Sequence, residues 1–224
     1  MWIDPTGCVI KLTGDENNKN LMLGMLQIIT DYTLDYGKDG NVFISSYGDK
    51  DSMKYIFGNI LIYALVNSKH TVEIRINTSI NGYHYLADDY FKVWLGWGCG
   101  GIITFNPNSA LEIPTIDPNT GNVYMAETPG YIGLAHELIH AHRAMMGIAI
   151  DQKSVAEYKY QSGRVRKNIG SLSWWSPIYN TQKEVPKEEL ATIGLKYTND
   201  MYWVSENAIR AEHGLPLRGA YRPV

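Results

Sequence analysis

Gly133-Leu134-Ala135-His136-Glu137-Leu138-Ile139-His140-Ala141-His142-Arg143 contains the pattern His-Glu-x-x-His, and the rest of the chain is read outward from it. On an α-helix, residues four apart fall about 40° apart on one face, so both imidazoles reach a single metal ion. Glu137 stands directly after the first histidine, beside the same pocket. Zinc takes neutral nitrogen donors and, when catalytic, keeps one position open for water; hydrolysis needs a carboxylate to accept that water's proton. The intervening Leu134, Ala135, Leu138, Ile139 and Ala141 are apolar, as expected of a helix buried behind a cleft. The competing picture, a surface helix whose histidines pair with nearby carboxylates, fits charged neighbours better than these.

Composition bounds what surrounds the motif. A chain of 224 residues, 45% hydrophobic and 19% charged, builds an ordinary packed core. The net charge of −3 argues against nucleic acid as the main ligand, because phosphate binding favours a basic surface. The only cysteines, Cys8 and Cys99, are far apart, which excludes a disulfide framework and a zinc ribbon. No apolar run approaches the roughly 18 residues of a membrane span, and no secretory signal peptide is visible at the start. No repeat or linker divides the chain, so residues 1–224 are expected to form one domain.

Upstream of the motif, residues 2–10 read as a short strand broken by a Pro/Gly turn. Asp15 caps an expected helix running towards residue 36, with Leu21, Met22, Met25, Leu26, Ile29 and Tyr32 at helical spacing. Residues 35–40 make a turn, residues 42–46 a strand, and residues 52–66 a helix. Residues 71–77 alternate with period two, placing Val72, Ile74 and Ile76 towards the core. Residues 78–99, rich in Tyr, Gly and Trp, read as a long loop or irregular hairpin, with His70 and His84 as surface or strand histidines. Residues 100–107 form a second strand ended by Asn106-Pro107. In zinc peptidases generally an edge strand before the metal helix pairs with the substrate backbone, and this strand is either that edge or an interior one. A turn at 117–122 and the entry Thr128-Pro129-Gly130 lead to the metal helix, which Gly147 ends.

Two histidines need a third protein ligand. The first downstream carboxylate pair on a plausible helix is Glu188-Glu189, opened by Pro186 and closed by Gly194. The two project about 100° apart, so one can face the metal while the other orients a ligand. His142, two residues from His140, points away. Asp151, Glu157 and His213 stay open as alternatives, with Glu189 favoured.

Resemblance narrows the choice. The run from Leu134 to Ala141, continuing to Gly147-Ile148-Ala149-Ile150, is similar to the zinc helix of clostridial neurotoxin light chains, and Glu188-Glu189-Leu190-Ala191-Thr192-Ile193-Gly194 is similar to their E-E-L-x-T-x-G segment. That resemblance implies His136, His140 and Glu189 as zinc ligands, Glu137 as the base and Glu188 as the supporting carboxylate. A closer likeness is to the M91 zinc metallopeptidase effectors that bacterial pathogens inject into host cells. It is carried also by Ser205-Glu206-Asn207-Ala208-Ile209-Arg210-Ala211-Glu212-His213-Gly214 and by the pair Arg218-x-x-Tyr221. That pair is also present in the neurotoxins, where arginine and tyrosine stabilise the developing oxyanion, so the resemblance implies for Arg218 and Tyr221 a role each side chain is chemically fit for. Ile3-Asp4-Pro5-Thr6-Gly7 resembles the segment that closes the core of Rhs-type polymorphic toxins, which makes residues 1–10 the end of a larger toxin's core.

These likenesses imply a zincin-like α+β domain, a small mixed sheet packed on the metal helix, binding Zn2+ and cutting target-cell proteins after secretion or injection. An immunity protein is the second implied partner. The alternative function is a catalytically silent zincin-like domain that only binds a host or immunity protein, for which a glutamate at position 137 has no use.

Overall fold

The computed structural model describes residues 10–197 and 203–223. The expected strand at 2–10, its Rhs-like segment and Cys8 therefore lie outside the described residues, apart from Ile10. In chain order the elements are β1 (Ile10–Leu12), α1 (Glu16–Ile29), β2 (Thr33–Tyr36), β3 (Val42–Ser46), α2 (Ile56–Val66), β4 (Val72–Ile76), β5 (Tyr83–Ala87), α3 (Tyr90–Trp94), β6 (Gly101–Phe105), β7 (Leu111–Ile116), β8 (Val123–Thr128), α4 (Gly130–Met145), β9 (Val155–Ile169), β10 (Leu172–Pro186), α5 (Lys187–Ile193) and α6 (Glu206–Glu212).

The central sheet has the order β1-β4-β6-β5, with the first three strands parallel and β5 antiparallel to β6. Ile10, Leu12, Val72, Ile74, Ile103 and Phe105 pack beneath α1 and α4, whose Met22, Leu26, Ile29, Leu134, Leu138 and Ile139 are fully buried. The mixed sheet thus sits on the helix that carries the histidine motif, as the α+β reading requires.

Asp15 caps α1 by accepting from the Asn18 amide, but the helix ends at Ile29 instead of continuing to 36. Asn59 Oδ1 takes the Asp31 amide, and the Asp31 carboxylate takes the amides of Lys54 and Tyr55; this anchored corner turns Thr33–Tyr36 into a hairpin with β3. The β-favouring Thr33 and Tyr36 suit that pairing. The second helix starts at Ile56, after a short 3-10 turn at Lys50–Ser52. Gly58 lets its first turn touch α1, since a Cβ there would lie 1.8 Å from the Ile29 carbonyl oxygen.

Two further expectations change. Residues 78–99 hold an ordered strand and helix, β5 and α3, with Asp89 capping α3 through the amides of Phe91 and Lys92. Strand β6 is interior, so the open edge that faces the metal helix belongs to β5. The sequence expectations contain no element for residues 148–186, where β9 and β10 form a long antiparallel hairpin.

Candidate metal centre

Helix α4 begins at Pro129, whose missing N–H costs nothing at a helix start, and ends where Gly147 takes φ 68°. Its first turn is built from glycine: a Cβ at Gly133 would stand 2.6 Å from Leu111 Cδ1 and 3.0 Å from the Tyr83 ring. That closeness sets strand β5 and the β7–β8 hairpin directly against the histidine face.

His136 and His140 present their Nε2 atoms to each other at 3.1 Å. Helix α5 brings the Glu189 carboxylate to both, 3.2 Å from His136 Nε2 and 3.3 Å from His140 Nε2. One donor atom from each of these three residues falls within 4.8 Å of the others. Two neutral ring nitrogens with facing lone pairs repel, so such convergence favours a cation between them; two imidazoles and one carboxylate are a donor set of the kind zinc takes at open sites.

The outer nitrogens are tied down. His136 Nδ1 meets Glu206 Oε2 at 2.9 Å, while His140 Nδ1 lies 3.2 Å from Thr192 Oγ1 and 3.4 Å from Glu188 Oε1. With Nδ1 donating outward, each ring turns its Nε2 lone pair inward. Burial alone pushes the imidazole pKa values down, but the carboxylates outweigh it. Glu189 and Glu206 lift His136 to about 9, and Glu188 and Glu189 lift His140 to about 10. The site thus holds positive charge strongly. Against the effect of burial, His136 and His140 also hold Glu189 well below the usual carboxylate range.

The adjacent glutamates divide their work as their 100° separation suggests. Glu188 turns away from the cluster, meets Arg143 Nε at 2.8 Å and Nη2 at 3.0 Å, and accepts the Ile150 amide at 2.7 Å. Burial favours its neutral acid, yet His140 and Arg143 hold it at about 2. Of the other carboxylates and histidines kept open as ligands, Asp151 and Glu157 stand outside the donor cluster, and His213 stacks on Tyr55 with ring centroids 4.3 Å apart. His142, buried in the same helix, is pushed down to about 4 by burial and the nearby Arg143 charge.

A cleft of about 410 Å³ opens over the cluster, lined by Glu137, His136, His140, Glu189, Arg218 and Tyr221 together with Tyr83, His84 and Tyr85 of the β5 edge. Arg218 reaches it from the C-terminal segment, donating to Glu206 Oε2 at 2.9 Å and to the carbonyls of Ala220 and Tyr221. These contacts use three of the five guanidinium N–H donors. Burial raises the Tyr221 phenol, and the Glu189 charge adds to that, so the hydroxyl keeps its proton.

Glu206 is the residue that sequence reasoning left without a role. Fully buried at the start of α6, it joins His136, Arg210 and Arg218, and these partners hold it at about 2 although burial opposes ionisation. Its signal was faint: a glutamate just inside the Ser205 cap, four residues before Arg210, looks like any solvated helix start.

A family model named Peptidase M91, described as effector protein, matches residues 33–221, most of the chain. The chain belongs to the M91 family. Within this M91 chain the match takes in the histidine motif, both glutamates of α5, Glu206, Arg218 and Tyr221. Among solved structures it is similar to the botulinum neurotoxin type C light chain in its zinc-removed apo form, at 15% identity and a TM-score of 0.35 over 72% of this chain and 32% of that one. It is also similar to the type D light chain, at 16% identity and a TM-score of 0.32 over 82% and 36%. The M91 chain thus spans about a third of the light chains it matches. No curated protein matches it.

Proposed function

We propose that this M91 chain is a zinc endopeptidase effector, one domain over residues 1–224, delivered into a target cell where it hydrolyses peptide bonds of that cell's proteins. The observation that carries the reading is the convergence of His136, His140 and Glu189 in an open cleft that Glu137 also lines. His136 Nε2, His140 Nε2 and one Glu189 oxygen are the atoms that would hold the metal. Zinc, when bound there, supplies a Lewis acid and an acidified water.

The chain's own groups do the remainder. Glu137 accepts a proton from the attacking water and passes it to the amine that leaves. Arg218 and Tyr221 donate to the oxygen that turns negative as the carbonyl becomes tetrahedral, each contributing a few kcal/mol in a desolvated cleft. Glu206 supports both halves of the site, orienting His136 and steadying Arg218. The open edge of β5 offers backbone groups to an extended substrate, which would lie across the cleft as a further strand. An immunity protein that covers this cleft is the matching partner in a producing cell.

The test is metal content and proteolysis together. The purified chain should carry about one zinc per molecule and cleave components of a broad protein mixture; Glu137→Gln should keep the zinc and lose the cleavage. Absence of zinc, or cleavage unchanged by Glu137→Gln, overturns the proposal.

A further inference from the structure

None of the residues lining the cleft lies on β9 or β10, yet these are the longest strands among the described residues. Their inner half is tethered to the body: Gln161 bonds Thr120 and Asn122, and Gln182 bonds the backbone of Tyr221 and Arg222. The outer half is bare, with every residue from Arg164 to Trp175 exposed.

The register sorts that outer half into two faces. Val165, Ile169, Leu172, Trp174 and Ile178 share one with a single cation, Lys167, because Ile169 pairs with Leu172, Lys167 with Trp174 and Val165 with Ser176. Arg164, Arg166 and Trp175 lie on the other. The turn between the strands is Gly170-Ser171, where Gly170 at φ 58° supplies the backbone twist of a two-residue hairpin loop. Ile169 and Leu172, 70% and 72% exposed, therefore form the very tip. Behind them come Trp174, Trp175, Lys167, Arg166 and Arg164, with no acidic residue from 164 to 175 in a chain of net charge −3.

A two-stranded ribbon with one uncovered apolar face is unfavourable in water, so the face implies an occupant. We propose that this hairpin tip docks on the surface of a membrane rich in anionic lipid. An aliphatic pair at the apex, Trp174 and Trp175 level with Lys167 and Arg166 about 7–10 Å behind it, and Arg164 about 17 Å behind it set the acyl-seeking side chains ahead of the indoles and cations that suit the interface and its phosphates. A second copy is disfavoured, since a two-fold contact through the apolar face would bury Lys167 of both copies with no acidic residue from 164 to 175 to pair them. Nucleic acid would use the cations and the indoles but has no place for Ile169 and Leu172.

Co-sedimentation of the full chain with vesicles tests this, using phosphatidylcholine alone and phosphatidylcholine with about one third phosphatidylserine. Binding is expected to the anionic vesicles and to weaken as salt rises. Each cation near the surface is worth about fivefold in partitioning. The triple variant Arg164→Gln, Arg166→Gln, Lys167→Gln should therefore partition about 100-fold less. Ile169→Ser with Leu172→Ser should also reduce binding with all charges retained; both sets are at exposed positions, and unchanged thermal unfolding verifies the fold. Equal binding to neutral and anionic vesicles, or binding insensitive to either variant, overturns the proposal. So does a dimer in sedimentation velocity that Ile169→Ser with Leu172→Ser abolishes while vesicles stay unbound, and so does tighter binding to single-stranded RNA than to anionic vesicles.

Discussion

At the residue scale the centre separates two carboxylates that are neighbours in sequence and opposite in use. Glu189 touches both imidazole nitrogens that face inward, whereas Glu188 is spent on Arg143 and the Ile150 amide. Glu189→Gln should consequently abolish tight zinc retention, measured against a chelating indicator, and, because Glu189 lifts both histidines, should also lower the urea midpoint of the metal-free protein where they are protonated. Glu188→Gln should do the reverse in emphasis: it leaves a buried guanidinium facing a neutral amide, a loss of about 3 kcal/mol in urea unfolding. If Glu188→Gln instead releases zinc as fully as Glu189→Gln, the assignment of the third ligand fails. Glu206→Gln belongs between them. It removes the charge that orients His136, which typically lowers metal affinity about 10–100-fold, and it loosens Arg218, so turnover at saturating zinc should fall as well.

At the element scale, the placement of the cleft depends on how closely α4 approaches its neighbours. Gly133→Ala adds one methyl where Leu111 and Tyr83 already stand, which should destabilise the protein by about 1–3 kcal/mol and push the β5 edge outward, raising KM more than it lowers kcat. An unchanged urea midpoint would show that the strand has room to spare. Which elements were legible in sequence follows from the range of the forces that make them. Helix α4, the strand at 72–76 and the Pro186-to-Gly194 helix announce themselves through local periodicity, caps and glycine stops. The end of α1 does not, because it is decided by Asp31 and Asn59, nearly thirty residues apart. Strand β5 was hidden for a related reason. Its Tyr83, Tyr85 and Ala87 face inward against β6, α4 and the Cys99 cluster, contacts that exist only once the chain is folded. The site was read the same way: His136, Glu137 and His140 are local, Glu189 came from likeness to known families, and Glu206 required the tertiary structure.

At the scale of the whole molecule, the buried ionisable groups predict how stability varies with pH, because they titrate in separable windows. His142 is held down to about 4, against an ordinary 6.5, by burial and then by Arg143. Between those values the unfolded chain binds a proton that the folded one refuses, so stability falls as pH drops from about 6.5 to 4, with a slope of at most about 1.4 kcal/mol per pH unit for one proton. His213, which burial also lowers, adds in the same direction. His136 and His140 act oppositely in the metal-free protein. Raised to about 9 and about 10, they contribute stability that is complete below 6.5 and is lost progressively as pH climbs through those values. Glu188 and Glu206, held at about 2, lose their contribution only below the ordinary carboxylate range near 4.5. Metal-free protein should therefore be most stable near pH 6.5, with an alkaline limb steeper than the acid one. Urea midpoints measured from pH 4 to 10 check this. His142→Leu should flatten the larger part of the acid limb without touching the alkaline one, and saturating zinc should remove the alkaline limb, because the metal takes the neutral imidazoles that high pH would otherwise leave facing each other. An acid limb that survives His142→Leu at full slope would mean that the histidine accepts its proton in the folded state, and an alkaline limb that survives zinc would mean that the metal is held elsewhere than by His136 and His140.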